Sequence, residues 1–132
     1  EQWTFKGGMN SHNHAMFSGA SATLYTHIAG IRPLAPGYGR ILVKPAPLPG
    51  MQRLSCCIGT VRGPVRVEWS RATGDLAVSV PGNAMAEIHL SSPGTTEGGL
   101  PLAEVPGLRI LTADAAGSVV EVGSGTYQFH TP

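Results

Sequence analysis

The chain has 132 residues, of which 42% are hydrophobic and 13% are charged, and its formal net charge is +1. This length fits one domain of ordinary size, and the hydrophobic content excludes a disordered tail. Residues 1–66 contain seven Lys and Arg residues but one acidic residue, a Glu. Residues 67–132 contain two Arg residues and seven acidic residues. The cations stand singly and not in a run, which argues against a nucleic-acid-binding surface.

The N-terminal part of the chain is predicted to hold one helix. Residues 1–14 have neither helical nor strand periodicity and are interpreted as a loop. Between residues 15 and 29, apolar side chains recur at spacings of three and four, which predicts a one-sided helix, and Gly30 followed by Pro33 predicts its end. Because this helix carries no charged residue, we expect it to pack on its own domain, on another copy or on a retained partner.

Downstream of Arg40 the pattern becomes that of short strands. Alternating or continuous apolar runs occupy residues 41–43, 54–58, 65–69, 76–80, 86–90, 108–111, 118–122 and 127–129. Turn sequences rich in Gly and Pro separate several of these runs. The sequence therefore predicts a mainly β fold, an antiparallel β-sandwich of about seven or eight strands preceded by one α-helix. The predicted boundary divides residues 1–39 from residues 40–132.

Cys56 and Cys57 are adjacent, and neighbouring residues of a strand point to opposite faces, so we expect no disulfide between them. Their presence as thiols favours a reducing compartment such as the cytoplasm, or a protein large enough to need no disulfides. The sequence has no apolar run near 18 residues and no charged leader, and we expect neither a membrane span nor a signal peptide. Because the chain begins with Glu, we expect a fragment or a processed product.

Several short motifs, in a fixed order over nearly the whole chain, resemble the C-terminal part of bacterial α-L-rhamnosidases. The motifs are Asn10–Phe17, Leu24-Tyr25, Ala29–Pro33, Ala35–Tyr38, Val61–Pro64, Val67–Trp69, Pro81–Ala84 and Gly123–Tyr127. The resemblance implies that residues 1–39 are the terminal loop and last helix of a catalytic (α/α)6 barrel, and that residues 40–132 are the β-sandwich that follows it. The upstream catalytic domain of the same parent protein is then the main partner.

The resemblance also implies a reaction, the hydrolysis of terminal α-L-rhamnosyl bonds with inversion. Such a reaction needs one carboxylic acid for the leaving oxygen and one carboxylate to activate water. Glu1-Gln2-Trp3 resembles the second half of the motif that carries the family's general base, so Glu1 is the candidate base. No Asp or Glu occurs between residues 2 and 67, and we therefore expect the general acid to lie upstream and the isolated chain to be inactive.

Two further residues are candidates for contact with a rhamnosylated glycoside. His14 either binds a substrate hydroxyl, as the resemblance implies, or has a structural role as a cap or in a core hydrogen bond. Trp3 either packs on the sugar or anchors its loop through apolar contacts. His12, His14 and His27 have no recognised zinc spacing, so we expect no metal and no other cofactor.

A second hypothesis comes from a different class of protein, a self-standing carbohydrate-binding or interaction sandwich with an N-terminal helix. It places no barrel upstream of the chain. In either case the apolar helix also allows association with a second copy of the chain. We expect no nucleic-acid or membrane partner.

Overall fold

The structure, a computed structural model, describes residues 19–132. Its helical segment consists of α1 (Gly19–Thr23) and a π-helical stretch (Leu24–Ile28). The Ala29 N–H donates to the Leu24 carbonyl over 2.9 Å, the wide spacing that defines this turn. The predicted helix is therefore helical from Gly19 to Ile28, while residues 15–18 lie outside the described residues.

The first sheet has five strands in the order β1-β2-β6-β10-β9. These strands are β1 (Ile31–Pro33), β2 (Arg40–Val43), β6 (Met85–Leu90), β9 (Arg109–Asp114) and β10 (Gly117–Val122). Neighbours are antiparallel except β2 and β6, which run parallel with Ile41 opposite Ala86. The parallel pair arises because the chain leaves this sheet after β2 and returns to it only at β6.

The second sheet has six strands in the order β3-β4-β5-β11-β7-β8, all paired antiparallel. These strands are β3 (Arg53–Thr60), β4 (Gly63–Ser70), β5 (Asp75–Val80), β7 (Thr96–Glu97), β8 (Leu100–Pro101) and β11 (Gly125–His130). Strands β3 to β5 form a meander joined by tight turns. Strand β3 is the longest edge strand of either sheet.

The core lies between the two sheets. In the central strands alternate residues are fully buried there, for example Val65 and Val67 of β4 and Val120 and Val122 of β10. Glu68, between Val67 and Trp69, is exposed, as the alternation of β4 predicts. Phe129 is the largest fully buried side chain. The two sheets thus bury one face each, which is how a sandwich satisfies both apolar surfaces.

The predicted β-sandwich is confirmed, and eight of the eleven strands correspond to the predicted runs. Strands β1, β7 and β8 were not predicted. Each has only two or three residues, and Pro33 and Pro101 suggest breaks and not strands. Tyr38 and Trp69 are half-buried and pack against the core.

Candidate functional site

The predicted catalytic and substrate-binding residues, Glu1, Trp3 and His14, lie outside the described residues, as does His12. The candidate site that the structure does describe is the junction where the helical segment meets the sandwich. Two features form it, an apolar groove beside the helix and a set of hydrogen bonds that holds the connector between helix and sandwich.

The apolar groove, called here the helix groove, lies between the helical segment and strand β3. Its apolar lining comes from Leu24, Tyr25 and Ile28 on the helical side, and Met51, Leu54 and Cys56 on the other side. The groove encloses about 330 Å³. Leu24 is 59% exposed and Tyr25 is 42% exposed, although an amphipathic helix normally buries such side chains.

The two cysteines of β3 sit on opposite sides of the strand, as predicted from their adjacency. Both are free thiols, with Cys56 half-buried and Cys57 exposed. Burial, followed by the neighbouring Cys57, raises the pKa of the Cys56 thiol. Cys56 therefore acts in the groove as a small neutral apolar group.

The chain reversal after the helix fixes the helical segment to the loop that follows β2. Gly30 adopts φ +69°, a conformation that favours glycine, and a Cβ there would overlap the Lys44 carbonyl oxygen. The Lys44 N–H donates to Gly30 O, and the Ala46 N–H donates to Ile28 O, each over 3.0 Å. The helix end is thus attached directly to the sandwich.

Arg62 joins three loops at the other end of the sandwich. Its Nε donates to the Gly37 carbonyl over 3.0 Å, and its Nη1 donates to the Asn83 carbonyl over 2.6 Å. Its own backbone N–H donates to Thr60 Oγ1 over 3.1 Å within the β3–β4 turn. Arg62 therefore holds the connector after β1 against the turn between β5 and β6.

A buried carboxylate lies on the outer face of the first sheet. The Glu121 side chain is 10% exposed, and Arg40 Nη2 and Arg109 Nε each donate to it over 3.1 Å. The hydrogen bond from Arg109 and the charges of both arginines hold the pKa of Glu121 below its ordinary value. Arg40, from the basic residues 1–66, is thereby paired with Glu121, from the acidic residues 67–132.

No acid and base pair borders the helix groove within residues 19–132. The acidic residues of this range begin at Glu68 and lie in the sandwich strands and their turns. Within the same range no three His, Cys, Asp or Glu side chains are grouped to hold a metal ion. No helix of the described part is long and apolar enough to cross a membrane. The part of the junction within residues 19–132 therefore presents an apolar surface suited to packing.

A family model describing the bacterial alpha-L-rhamnosidase C-terminal domain matches residues 30–101. The chain belongs to this family. Two curated relatives are called alpha-L-rhamnosidase. The relative from Streptomyces avermitilis is 29% identical over 123 residues, covering 92% of this chain and 12% of that protein. The relative from Formosa agariphila is 36% identical over 84 residues, covering 62% of this chain and 9% of that protein.

Solved structures of rhamnosidases contain the same sandwich. The crystal structure of Streptomyces avermitilis alpha-L-rhamnosidase complexed with L-rhamnose gives a TM-score of 0.77 at 27% identity, over 94% of this chain and 12% of that one. The alpha-L-rhamnosidase from Dictyoglumus thermophilum gives 0.73 at 32% identity, over 93% and 14%. The rhamnosidase C-terminal domain family thus accounts for the fold, and the chain spans about an eighth of these relatives.

Neither Arg62 nor Glu121 was predicted from sequence to be a functional or structural residue. For Arg62 a signal existed, because it belongs to the Val61–Pro64 motif that carries part of the resemblance. For Glu121 no signal existed, since its partner Arg40 lies 81 residues away in sequence. Only the sheet order places the two side chains together.

Proposed function

We propose that this chain works as the C-terminal part of an α-L-rhamnosidase-like glycoside hydrolase, which removes terminal α-L-rhamnose from glycosides with inversion. The chain itself serves as a non-catalytic domain that packs on the catalytic domain of its parent. The observation that carries this proposal is the uncharged helix with its open apolar groove, attached to a sandwich of the rhamnosidase family.

The helix groove supports the packing role through its burial and its chemistry. Leu24 and Tyr25 are exposed next to the half-buried Met51 and Leu54 of the sandwich. Burying such surface contributes about 25 cal/mol per Å² of apolar area. A preceding barrel helix that fills the groove would remove both helix and sandwich side chains from water. The catalytic domain is then held by contacts to two parts of this chain.

The proposed division of roles assigns catalysis to the segment before the helix and to the parent. Glu1 acts as the general base, and the general acid comes from the upstream domain, because an inverting pair stands roughly 6.5 to 9.5 Å apart. Trp3 and His14 contact the rhamnosyl unit. The isolated chain then lacks an acid near Glu1 and most of the sugar pocket.

An assay of the purified 132-residue chain with an aryl α-L-rhamnoside, beside the full-length parent, tests this division. We expect turnover only by the parent. In the parent, Glu1→Gln should lower kcat by orders of magnitude with little effect on rhamnose binding, because a base acts in the transition state. The matched control is Glu104→Gln, which changes an exposed carboxylate of the sandwich. Near-normal turnover by the Glu1 variant would reject the assignment.

His14→Ala in the parent tests the substrate contact. Loss of one positioning hydrogen bond should cost about 0.5 to 1.5 kcal/mol in kcat/KM. Unchanged kinetic constants would return His14 to a structural role. The coding sequence of the parent distinguishes the proposal from a self-standing binding module, because only the hydrolase requires a long upstream region with paired helices and an acidic motif.

A further inference from the structure

Four side chains form a row across the outer face of the first sheet. Lys44 follows Val43, which pairs with Ile88, so Lys44 lies beside His89. His89 pairs with Val119 on β10, and Val119 pairs with Thr112 on β9. Residues paired in this way share a face of the sheet. Lys44, His89, Val119 and Thr112 therefore lie side by side across four strands.

The row lines a hollow of about 290 Å³, which Asp114 and Ser118 also border. Lys44 and His89 stand at one side, Thr112 and Asp114 at the other, and the half-buried Val119 lies between them. A concave surface with an apolar floor and a few polar groups from different strands is the usual form of a small-ligand site.

The imidazole of His89 is oriented by a neighbouring carboxylate. Its Nε2 lies 2.9 Å from Glu87 Oε1, two residues earlier on the same strand. Among the described residues, none forms a hydrogen bond with His89 Nδ1. Because a carboxylate only accepts, Nε2–H donates to Glu87, and Nδ1 of the neutral ring is left to accept a hydrogen bond from a ligand hydroxyl.

The hollow continues around the end of the sandwich toward an aromatic ring. A narrow slit of about 90 Å³ shares His89, Leu90 and Ser91 with it. The slit in turn shares Ser91 and Trp69 with an open hollow of about 470 Å³. Trp69 is half-buried, and the Arg71 guanidinium lies 5.4 Å from its ring centroid. We call this continuous surface, from Thr112 past His89 and Ser91 to Trp69, the end groove.

The chemistry of the end groove selects its ligand class. The positive charge of Lys44 disfavours a cationic ligand, and the negative charge of Asp114 disfavours an anionic one. The Asp114 carboxylate already accepts the Ala116 N–H over 2.7 Å, which leaves it one unoccupied oxygen for a ligand donor. Neutral polyhydroxyl compounds offer both donors and acceptors, and their C–H surfaces pack on Val119 and on an indole ring.

We propose that the end groove binds a neutral carbohydrate, with one sugar unit in the hollow between His89 and Thr112. Under the proposed function, on which the choice of sugar rests, this site holds a second unit of a rhamnose-containing glycoside away from the catalytic residues. Few contacts and a shallow surface predict millimolar affinity, about 4 kcal/mol of binding free energy for a Kd of 1 mM.

The test is an NMR titration of the ¹⁵N-labelled 132-residue chain with methyl α-L-rhamnopyranoside up to about ten times the expected Kd. We expect saturable shifts of the His89, Thr112, Ser118 and Val119 amides. His89→Ala should weaken binding about tenfold, the loss of one hydrogen bond of about 1.4 kcal/mol. The matched control is His27→Ala, which removes an exposed histidine of the helical segment that lines no part of the end groove.

If His89→Ala does not fold, Thr112→Val serves as the second variant, with the same expected loss. The proposal is overturned if the amide chemical shift changes do not saturate or occur outside the end groove. It is also overturned if the affinity is unchanged in both end-groove variants. Binding of inorganic phosphate without binding of the glycoside also overturns it. Hydrolysis by the parent is measured separately, so a chain that binds no sugar and a parent that hydrolyses no rhamnoside are distinct failures.

Discussion

Glu121 shows how a single residue links distant parts of the sequence. Its partners, Arg40 and Arg109, expose 51% and 68% of their side chains, whereas the carboxylate is nearly buried. Removing the negative charge leaves two arginines that water can solvate. Removing either arginine instead leaves a buried carboxylate with fewer donors, which is the costlier change.

We expect Glu121→Gln to lower the free energy of unfolding by about 1 kcal/mol. Hydrogen bonds to charged groups contribute roughly 1.5 to 3 kcal/mol, and the exposure of both guanidinium groups reduces that figure. Chemical denaturation at neutral pH measures the change. Glu104→Gln, an exposed carboxylate, is the control and should change stability by less than about 0.5 kcal/mol. Equal losses in the two variants would contradict the role of Glu121.

The same carboxylate predicts a pH dependence. Because the folded-state pKa of Glu121 lies below its ordinary value of 4.5, its contribution is complete above that value and is lost as the pH falls through the folded pKa. The stability difference between the native chain and Glu121→Gln should therefore shrink on acidification below about pH 4.5. Asp75 also has a lowered pKa, through Thr73 and then His130, but it is present in both proteins and cancels in the comparison.

Gly30 is a residue at which the backbone leaves no room for a side chain, as are Gly74 and Gly117. In Gly30→Ala, the strain of a positive φ combines with an overlap between the new Cβ and the Lys44 carbonyl. We expect the free energy of unfolding to fall by at least about 2 kcal/mol. Gly99→Ala separates the two causes, because Gly99 has φ +84° and open space around it. That control should cost only about 1 kcal/mol. A thermal unfolding series that ranks Gly99→Ala as the worse variant would contradict the overlap.

At the scale of elements, Arg62 determines how firmly the connector is held. Arg62→Met removes hydrogen bonds to Gly37 and Asn83 and should cost about 1 kcal/mol, since the side chain is exposed. Hydrogen exchange should accelerate at the Met85 amide, which donates to Gly39 O over 3.1 Å. Arg66→Met is the matched control. Arg66 is an exposed arginine on β4 whose guanidinium forms no hydrogen bond with the described residues. Unchanged exchange at Met85 would show that the connector is held by other contacts.

The elements that could be predicted from sequence are those with a local signal. Strands β3 to β6 alternate apolar and polar residues and are separated by turns that contain Gly, Pro or Asn. The alternation predicts the strands, and the turn residues predict where they end. Strands β7 and β8 have two residues each, too few to show any period, and β7 forms by pairing with β11 on one side and β8 on the other. Strand β1 contains Pro33, which from sequence indicates the end of the helix and not an edge strand.

Site prediction was limited by a different physical cause. The candidates Glu1 and His14 came from the resemblance, Trp3 came from the packing of aromatic rings on sugars, and all three stay predictions. The His89 to Thr112 row depends on a parallel pair and on a register shift between Val119 and Val120. Both are properties of the assembled sheet, and neither leaves a mark in the local sequence of the strands concerned.

For the whole molecule, the exposed helix predicts a difference between the isolated chain and its parent. Leu24→Ala should change the stability of the isolated chain by less than about 0.5 kcal/mol, because Leu24 is 59% exposed. In the parent, where we propose that the helix groove is filled, the same change should cost about 2 to 3 kcal/mol. Leu48→Ala, at 50% exposure on a loop, is the control. Equal effects of Leu24→Ala in both proteins would contradict the packing role.

The parallel pairing of β2 with β6 has a consequence for the order in which the chain folds. Ile41 meets Ala86 only after the 44 intervening residues have been arranged, and closing a loop of that length costs more conformational entropy than closing a local hairpin. The β3–β4–β5 meander closes with short turns and provides that arrangement. Kinetic φ-values should therefore be high for Val67→Ala, in the meander, and low for Ile41→Val. The first sheet then completes its strand pairing late in folding, after a folding nucleus has formed in the second sheet.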